Sequence, residues 1–186
     1  MDPYEPLPGH EPLVIEAIAL DWKWLFIYPE HNIGTINEIA FPVGHPVSFR
    51  ITSEVAMNSF MIPDLGGQIY AMAGMESQLN LKADRVGSMR GRNMQFTGDG
   101  FASQTFEARS LPQAEFDAWV KKVKQSPDVL SDDTFAAMSH PSVNVPAQYF
   151  ASVPPGFFRS RLMFFKGSEY NQELVAAPAN GQSIDD

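Results

Sequence analysis

Apolar and polar residues alternate along much of the first 110 positions, and this period of two is typical of β-strands with one buried face. The longest alternating run, residues 14–28, predicts a single half-buried strand with room for a bulge, followed by a turn at 29–34. Shorter strands are predicted at 36–41, 47–52, 59–63, 67–72, 75–82, 85–89 and 104–109. Many short strands with closely spaced glycine and proline turns favour an all-β sandwich.

The pattern changes to a helical period after Ser110. Ser110 followed three residues later by Gln113 is typical of a helix start, and a proline is tolerated in the first turn. An apolar stripe at helical spacing follows, made of Phe116, Trp119, Val120 and Val123. This helix is expected to end near residue 126, and a second short helix is predicted at 131–138. The helical pair is interpreted as a C-terminal appendage of the sandwich and not as a second domain.

Both ends of the chain differ from its middle. Residues 1–12 contain four prolines and predict a linker. Residues 167–186 are polar and rich in small side chains, which predicts a disordered tail. Ahead of that tail, residues 157–165 crowd aromatic side chains around two arginines. This segment is expected to dock on a partner subunit, to lie at a bilayer interface, or to pack back on its own domain.

The composition excludes several kinds of site. A length of 186 residues with 44% hydrophobic content fits one folded domain with appendages. The absence of cysteine excludes disulfides, thiolate metal sites and cysteine nucleophiles. A net charge of −9 disfavours nucleic-acid binding and favours simple solubility, or an acidic face for a basic partner. No apolar run of about 20 residues and no signal peptide is visible in the sequence.

The stretch from 90 to 104 carries three glycines and few large aliphatic residues, which predicts a tight loop between two strands. Asn93, Thr97, Phe101 and Gln104 stand in it at relative positions 0, +4, +8 and +11. Cysteine, cysteine, histidine and methionine at that spacing would form a copper site, since copper prefers thiolate, imidazole and thioether ligands.

On that spacing, the loop resembles the copper-binding loop of subunit II of the haem–copper respiratory oxidases, with its ligands replaced. The copper-bearing members of that family have two bridging cysteines where this chain has Asn93 and Thr97. They have a histidine at the position of Phe101 and a methionine at that of Gln104. Gln95 matches a residue that binds copper through its backbone carbonyl, so the identity of its side chain does not show whether this ligand is kept.

The last ligand of that copper centre is a histidine on an earlier strand, in a His-Ser-aromatic-x-x-Pro pattern. This chain reads Asn-Ser-Phe-Met-Ile-Pro from Asn58 to Pro63, so Asn58 replaces the histidine. With all five side-chain ligands replaced, the chain resembles subunit II of the ubiquinol oxidases of the cytochrome bo type, which lack this copper. Residues 21–30 and 68–75 are similarly close to that branch, and the resemblance covers about residues 6–165.

The resemblance implies a cupredoxin-like Greek-key β-sandwich or barrel at 13–110, lacking the dinuclear copper centre, and a helical C-terminal extension at 111–166. It implies that transmembrane helices precede the 1–12 linker and place the domain on the periplasmic face of the bacterial inner membrane. The complex would oxidise ubiquinol, reduce oxygen to water and pump protons, with haems and copper in subunit I. This chain would hold no cofactor and no catalytic residue, and its partners would be subunit I and the other subunits.

Trp22 and Trp24 are candidates for a subunit interface. In copper-bearing relatives, the tryptophan at the position of Trp22 lies near the face that docks cytochrome c, and an aromatic residue follows it. Here Lys23 follows, which weakens the case for a retained docking role. Packing in the interior is the alternative for both tryptophans.

Other chemistries find little support in the sequence. The four histidines, His10, His31, His45 and His140, are not paired at ligand spacing and are expected to be structural or exposed. No hydrolase elbow, zinc-protease helix or phosphate-binding loop is present, and Asp132 with Asp133 is expected to be solvated. The methionines at 57, 61, 72, 75, 89 and 94 favour core filling over a copper(I) site.

Two other functions remain open. One is a copper-carrying electron-transfer domain, which the lack of cysteine disfavours. The other is a free-standing periplasmic binding module built on a β-sandwich, which predicts a ligand pocket lined by aromatic side chains.

Overall fold

The computed structural model describes residues 11–165. Most of the predicted linker and all of the predicted tail at 167–186 therefore lie outside the described residues. The strands are β1 Leu13–Leu20, β2 Lys23–Tyr28, β3 Ile33–Ile36, β4 Glu38–Pro42, β5 Val47–Ser53, β6 Asn58–Met61, β7 Gln68–Ala71, β8 Ser77–Leu81, β9 Gly87–Asn93, β10 Thr105–Leu111 and β11 Gln148–Phe150. The helices are α1 Gln113–Lys124, α2 Asp132–Met138 and a helical segment at 157–165, here α3.

The strands form two sheets, and this confirms the predicted all-β sandwich. One sheet has six strands in the order β11-β3-β2-β1-β5-β8, and the other has five in the order β4-β10-β9-β6-β7. Most neighbours are antiparallel, but β1 with β5 and β4 with β10 are parallel. Parallel pairs cannot be joined by a tight hairpin, so the chain crosses between the sheets.

The single strand predicted at 14–28 is wrong, because the chain turns back on itself within it. β1 and β2 form an antiparallel hairpin in which Leu20 pairs with Lys23, leaving Asp21 and Trp22 as the turn. Trp22 adopts a φ of 63°, a left-handed conformation that bulky residues rarely adopt. The turn predicted at 29–34 is also partly wrong, since β3 begins at Ile33.

Aromatic side chains from both sheets meet in the space between them. The Trp24 and Phe60 rings lie 5.4 Å apart and nearly perpendicular, and Phe60 stacks on Phe106 at 5.3 Å. Such offset and edge-on pairs add about 0.5–1.5 kcal/mol each beyond the area they bury. All three residues are at least 97% buried, so this cluster fixes how the two sheets face each other.

Helix α1 confirms the predicted apolar stripe, and its four buried residues join the same core. Its predicted start is wrong: Ser110 lies buried in β10, and the residue that precedes the helix is Pro112, with no side-chain cap. The second predicted helix is confirmed as α2, and the hydroxyl of Ser131 accepts a hydrogen bond from the backbone N–H of Thr134.

Residues 124–165, here called the extension, cover the outer face of the six-stranded sheet. A second apolar cluster joins the two: the sheet contributes Ile18, Leu20, Leu25, Ile27 and Ile36, and the extension contributes Leu130, Phe135, Phe150, Val153, Phe157, Phe158 and Leu162. The extension also adds strand β11 beside β3, so it contains a short strand in addition to the predicted helices. Segment 157–165 was expected to dock on a partner, to lie at a bilayer interface or to pack back on its own domain. Its buried residues pack back on the domain, while Met163 and Phe164 are exposed.

Candidate functional site

The loop between β9 and β10 is held at its base by the strands on either side. β9 ends at Asn93, whose backbone N–H donates to the carbonyl of Gln104 over 3.2 Å, just before β10 begins. Asn93 also pairs with Phe60 of β6, so the start of β6 lies beside the loop. Gly91 is required on β9, because a Cβ there would lie 1.9 Å from the ring of Phe106 on β10.

Four residues of the loop meet in one hydrogen-bonded cluster around Asn93, here called the Asn93 network. The Asn93 side-chain amide donates to the carbonyl of Gln95 at 2.8 Å, to Oε1 of Gln104 at 3.1 Å and toward the hydroxyl of Thr97 at 3.4 Å. Its Oδ1 accepts from the backbone N–H groups of Ser59 at 2.8 Å and Gln95 at 2.9 Å. Every polar atom of the Asn93 side chain is thus satisfied, as a buried amide requires.

The network is linked to the β1–β2 turn. The indole N–H of Trp22 donates to the carbonyl of Thr97 over 3.3 Å. The Trp22 ring lies against Gly100, where a Cβ would approach it to 2.0 Å. The left-handed turn at Trp22 and the absence of a side chain at Gly100 together let the ring cover the loop.

Asn58 and Phe101 lie apart from the network. The Asn58 side-chain N–H₂ donates to the carbonyl of Ala56 at 2.7 Å, and its Oδ1 is buried with no hydrogen-bond partner among the described residues. Phe101 begins a short 3₁₀ turn and packs on Phe96, with ring centroids 5.7 Å apart. The structure thus groups Asn93, Thr97 and Gln104 with the carbonyl of Gln95, while Asn58 sits one residue from the Ser59 amide that binds Asn93.

These side chains do not fit a copper ion. Carboxamide, hydroxyl and phenyl groups replace the thiolate, imidazole and thioether groups that copper prefers. The amide nitrogen of Asn93 points its hydrogens at two oxygens and has no lone pair to offer a metal. Elsewhere in residues 11–165, no three His, Asp or Glu side chains are close enough to hold a metal ion.

The two tryptophans that were candidates for an interface separate in the structure. Trp24 is fully buried between the sheets. The prediction of a subunit interface is therefore wrong for Trp24, which packs in the interior. Trp22 is half-buried at the turn and keeps an exposed edge. Core filling is also wrong for Met57, Met75 and Met94, which are 40%, 54% and 46% exposed.

The chain is similar in sequence to curated subunits of quinol oxidases. The chain is 44% identical to ubiquinol oxidase subunit 2 of Acetobacter aceti over 99% of its own length and 59% of the relative's. It is 50% identical to cytochrome bo(3) ubiquinol oxidase subunit 2 of Pseudomonas aeruginosa over 85% of its length and 48% of the relative's.

The chain is homologous to quinol oxidase subunit 2. It spans about half to three fifths of the length of these relatives. A profile of the family described as the COX Aromatic Rich Motif matches residues 124–163, which are nearly all of the extension. Among the helices that the structure describes in this subunit 2 homologue, none is long and apolar enough to cross a bilayer.

A solved structure supports the fold of this homologue. The periplasmic domain of subunit II of cytochrome oxidase from Bradyrhizobium japonicum aligns with a TM-score of 0.58 at 22% identity, covering 63% of this chain and 96% of that domain. The predicted cupredoxin-like sandwich is therefore confirmed.

Charged residues that join the sandwich to the extension were missed by the sequence reasoning. Lys23 is 2% exposed, and its ammonium donates to the carbonyls of Met138 at 2.7 Å and His140 at 2.8 Å. Burial lowers the pKa of Lys23, and these carbonyls offset part of that cost. The sequence contains one signal of this contact: Lys23 stands inside an otherwise apolar run, and a buried lysine requires a hydrogen-bonding partner.

Glu38 forms a second such link. Its carboxylate accepts from the indole N–H of Trp119 and from the hydroxyl of Tyr149, both at 2.8 Å. Burial and this carboxylate raise the pKa of Tyr149, so its hydroxyl stays a donor. One buried carboxylate on β4 therefore holds both α1 and β11.

Proposed function

We propose that this chain is the extramembrane part of subunit 2 of a ubiquinol oxidase. In the complex, ubiquinol is oxidised, oxygen is reduced to water and protons are pumped, while haems and copper in subunit I carry out that chemistry. The identity of 44–50% to proteins named ubiquinol oxidase subunit 2 supports this assignment. Helices that precede residue 1 would anchor the domain at the periplasmic face of the inner membrane.

Within that complex the domain holds no copper and has a structural role. The observation that carries this proposal is the Asn93 side chain, whose donors and acceptors are all used within the loop. Asn58, Thr97, Phe101 and Gln104 are the other vacated ligand positions. A quinol donor reaches the enzyme within the bilayer, so an electron entry site in the aqueous domain is not needed.

Exposed apolar residues around the loop support a role in docking. Phe96 is 72% exposed and Met94 46%, and both follow the end of β9. Met57 precedes β6, which lies beside β9 in the sheet, so its exposed side chain belongs to the same end of the sandwich. Apolar side chains grouped at one end of a domain are typical of a surface that another subunit covers.

The proposal is tested in the complete oxidase. Deleting residues 11–165 from subunit 2 should lower the amount of assembled complex much more than the quinol oxidase turnover of each complex that does assemble. Asn93→Ala in the full-length subunit should leave turnover per assembled complex unchanged, since no electron passes through the loop. Normal assembly without the domain, or a large loss of turnover in assembled Asn93→Ala enzyme, would contradict the proposal.

A further inference from the structure

The extension touches the sandwich next to the loops that border the Asn93 network, and does so through charged side chains. Arg161 of α3 forms a two-pronged ion pair with Glu54, in which Nη2 lies 2.7 Å from Oε2 and Nε contacts Oε1. Glu54 begins the segment 54–57 that joins β5 to β6. The side chains are 24% and 9% exposed, so this pair is far better shielded than an ordinary surface ion pair.

Aromatic rings of the extension hold Arg161 in place. Its guanidinium carbon lies 4.8 Å from the ring centre of Phe135 in α2 and 4.9 Å from that of Phe164 in α3. Contact with two rings restricts the orientation of the planar guanidinium. This restriction favours a single geometry of its ion pair with the Glu54 carboxylate. The aromatic residues of this segment thus orient a charge as well as fill a core.

The segment that Arg161 holds leads directly to the Asn93 network. Glu54 is fixed at its backbone by the carbonyl of Ala19 at 2.9 Å, and Ala56 accepts from the side chains of Ser53 and Asn58. The next residue, Ser59, donates its backbone N–H to Asn93. The backbone of residues 54–59, held by these hydrogen bonds, therefore connects α3 to the centre of the network.

Lys23 forms a second connection, through the β1–β2 turn. Its ammonium binds the carbonyls of Met138 and His140 at the end of α2, and that of Asp21 in the β1–β2 turn at 3.2 Å. The same turn carries Trp22, whose indole binds the carbonyl of Thr97. Both loops that flank the network are thus attached to the extension.

We propose that the aromatic-rich extension sets the position of segment 54–57 and of the Trp22 turn through Arg161 and Lys23. It thereby fixes the end of the sandwich that carries the Asn93 network. This role is local: the packed strands hold the sandwich itself, and the extension determines the geometry of its loop end. The inference concerns the fold of the chain and does not depend on its membership of an oxidase complex.

Amide hydrogen exchange on the 186-residue chain tests the proposal. Arg161→Met keeps the length of the side chain and removes its charge, and Arg159→Met, on the exposed side of the same helix, is the matched control. Arg161→Met should speed exchange of the Ser59 and Gln95 amides about tenfold or more while Ala17 and Phe26 stay within about twofold. Arg159→Met should change none of these rates.

Some outcomes of these exchange measurements would contradict the proposal. Unchanged exchange at Ser59 and Gln95 in folded Arg161→Met would overturn the proposal, even if the melting temperature falls. If Arg161→Met does not fold, Glu54→Gln gives a milder loss of the same pair and should show the same local pattern. If Glu54→Gln also unfolds the whole chain, or speeds exchange equally at all four amides, the pair supports the sandwich as a whole and the local role is wrong.

A separate variant tests the Lys23 connection. Lys23→Met should shift and broaden the indole N–H signal of Trp22 in a ¹H–¹⁵N spectrum, because the turn loses its attachment to α2. The Trp119 indole, bound to Glu38, is the internal reference and should not move. A Trp22 signal that stays at its original position would remove Lys23 from the proposal.

Discussion

The side-chain amide of Asn93 donates to Oε1 of Gln104 over 3.1 Å, and the backbone of the same two residues is hydrogen-bonded at 3.2 Å. These residues stand at the two ends of the loop between β9 and β10. These two hydrogen bonds close the loop. The copper-bearing oxidases that the loop resembles have a cysteine and a methionine at these two positions, where this chain has carboxamides. The fold of the loop therefore depends on a buried polar side chain of its own.

Asn93→Ala should destabilise the chain by about 2–4 kcal/mol, because it leaves the buried N–H of Ser59 and the partly buried N–H of Gln95 without an acceptor. The free energy of unfolding in urea measures this, with an unchanged dependence on denaturant concentration. Gln95→Ala is the control, since Gln95 contributes backbone groups to the network, and it should cost less than about 0.5 kcal/mol. Equal losses in the two variants would show that the network does not stabilise the loop.

Gly100→Ala should displace Trp22. The added methyl group would lie 2.0 Å from the indole ring, so the ring must move and its bond to Thr97 must lengthen or break. A loss of about 1–3 kcal/mol is expected from such overpacking, together with a change in tryptophan fluorescence. Gly87→Ala meets no atom within 4 Å and is the matched control. A Gly100→Ala chain with unchanged fluorescence and stability would mean that Trp22 does not cover the loop.

Glu16 makes stability depend on pH. Burial raises its pKa from 4.5 to about 7, with Arg50 opposing the rise and Glu76 adding to it. Between these values the folded chain binds more protons than the unfolded chain, so this group's contribution makes the free energy of unfolding fall as the pH rises from about 4.5 to 7. The stabilising effect is fully present below about pH 4.5 and is lost as Glu16 ionises.

Glu16→Gln should remove this pH dependence and should make the chain more stable than the parent at pH 8. Urea unfolding at several pH values between 4 and 8 measures both effects. Glu30→Gln, in the exposed turn after β2, is the control and should follow the parent curve. A parent and a Glu16→Gln chain with the same slope over this range would exclude the half-buried Glu16 as the cause.

The local pattern of the sequence predicted most strands, but it could not reveal the turn at Asp21 and Trp22. Both faces of β1 and β2 are largely buried, one against the opposite sheet and the other against the extension. Large apolar residues therefore continue through the turn, and tryptophan, which stands at position 22, is not a residue type that favours turns. The turn also exchanges the faces, so that Ile18 shares a side with Leu25 and not with Trp24.

The start of α1 shows a different limit. Ser110 and Gln113 satisfied a local rule for helix starts, but pairing with β9 extends β10 through Ser110. Tertiary pairing outweighed the local preference here. Lys23 shows the same limit for a site, because the carbonyls that bind it lie 115 and 117 residues away along the chain. No local pattern contains that information.

The loop itself was predicted best, because its information is local in sequence. Spacing related Asn93, Thr97, Phe101 and Gln104 to one another, and the structure brings three of these side chains together while Phe101 packs on Phe96 instead. Asn58 matched the same set by resemblance, yet it binds Ala56, and its oxygen has no hydrogen-bond partner within residues 11–165. The match relates positions along the chain and contains no information on side-chain direction, so the direction of Asn58 could not be inferred from it.

Copper binding tests the central claim, that this loop has replaced metal coordination by hydrogen bonds. The purified chain is loaded with copper, dialysed, and its copper content and thiolate absorption are measured, beside a variant carrying Asn58→His, Asn93→Cys, Thr97→Cys, Phe101→His and Gln104→Met. The native chain should retain no stoichiometric copper, and the variant should gain two copper ions with intense visible absorption. Stoichiometric copper in the native chain that is lost on Asn93→Ala would contradict the account.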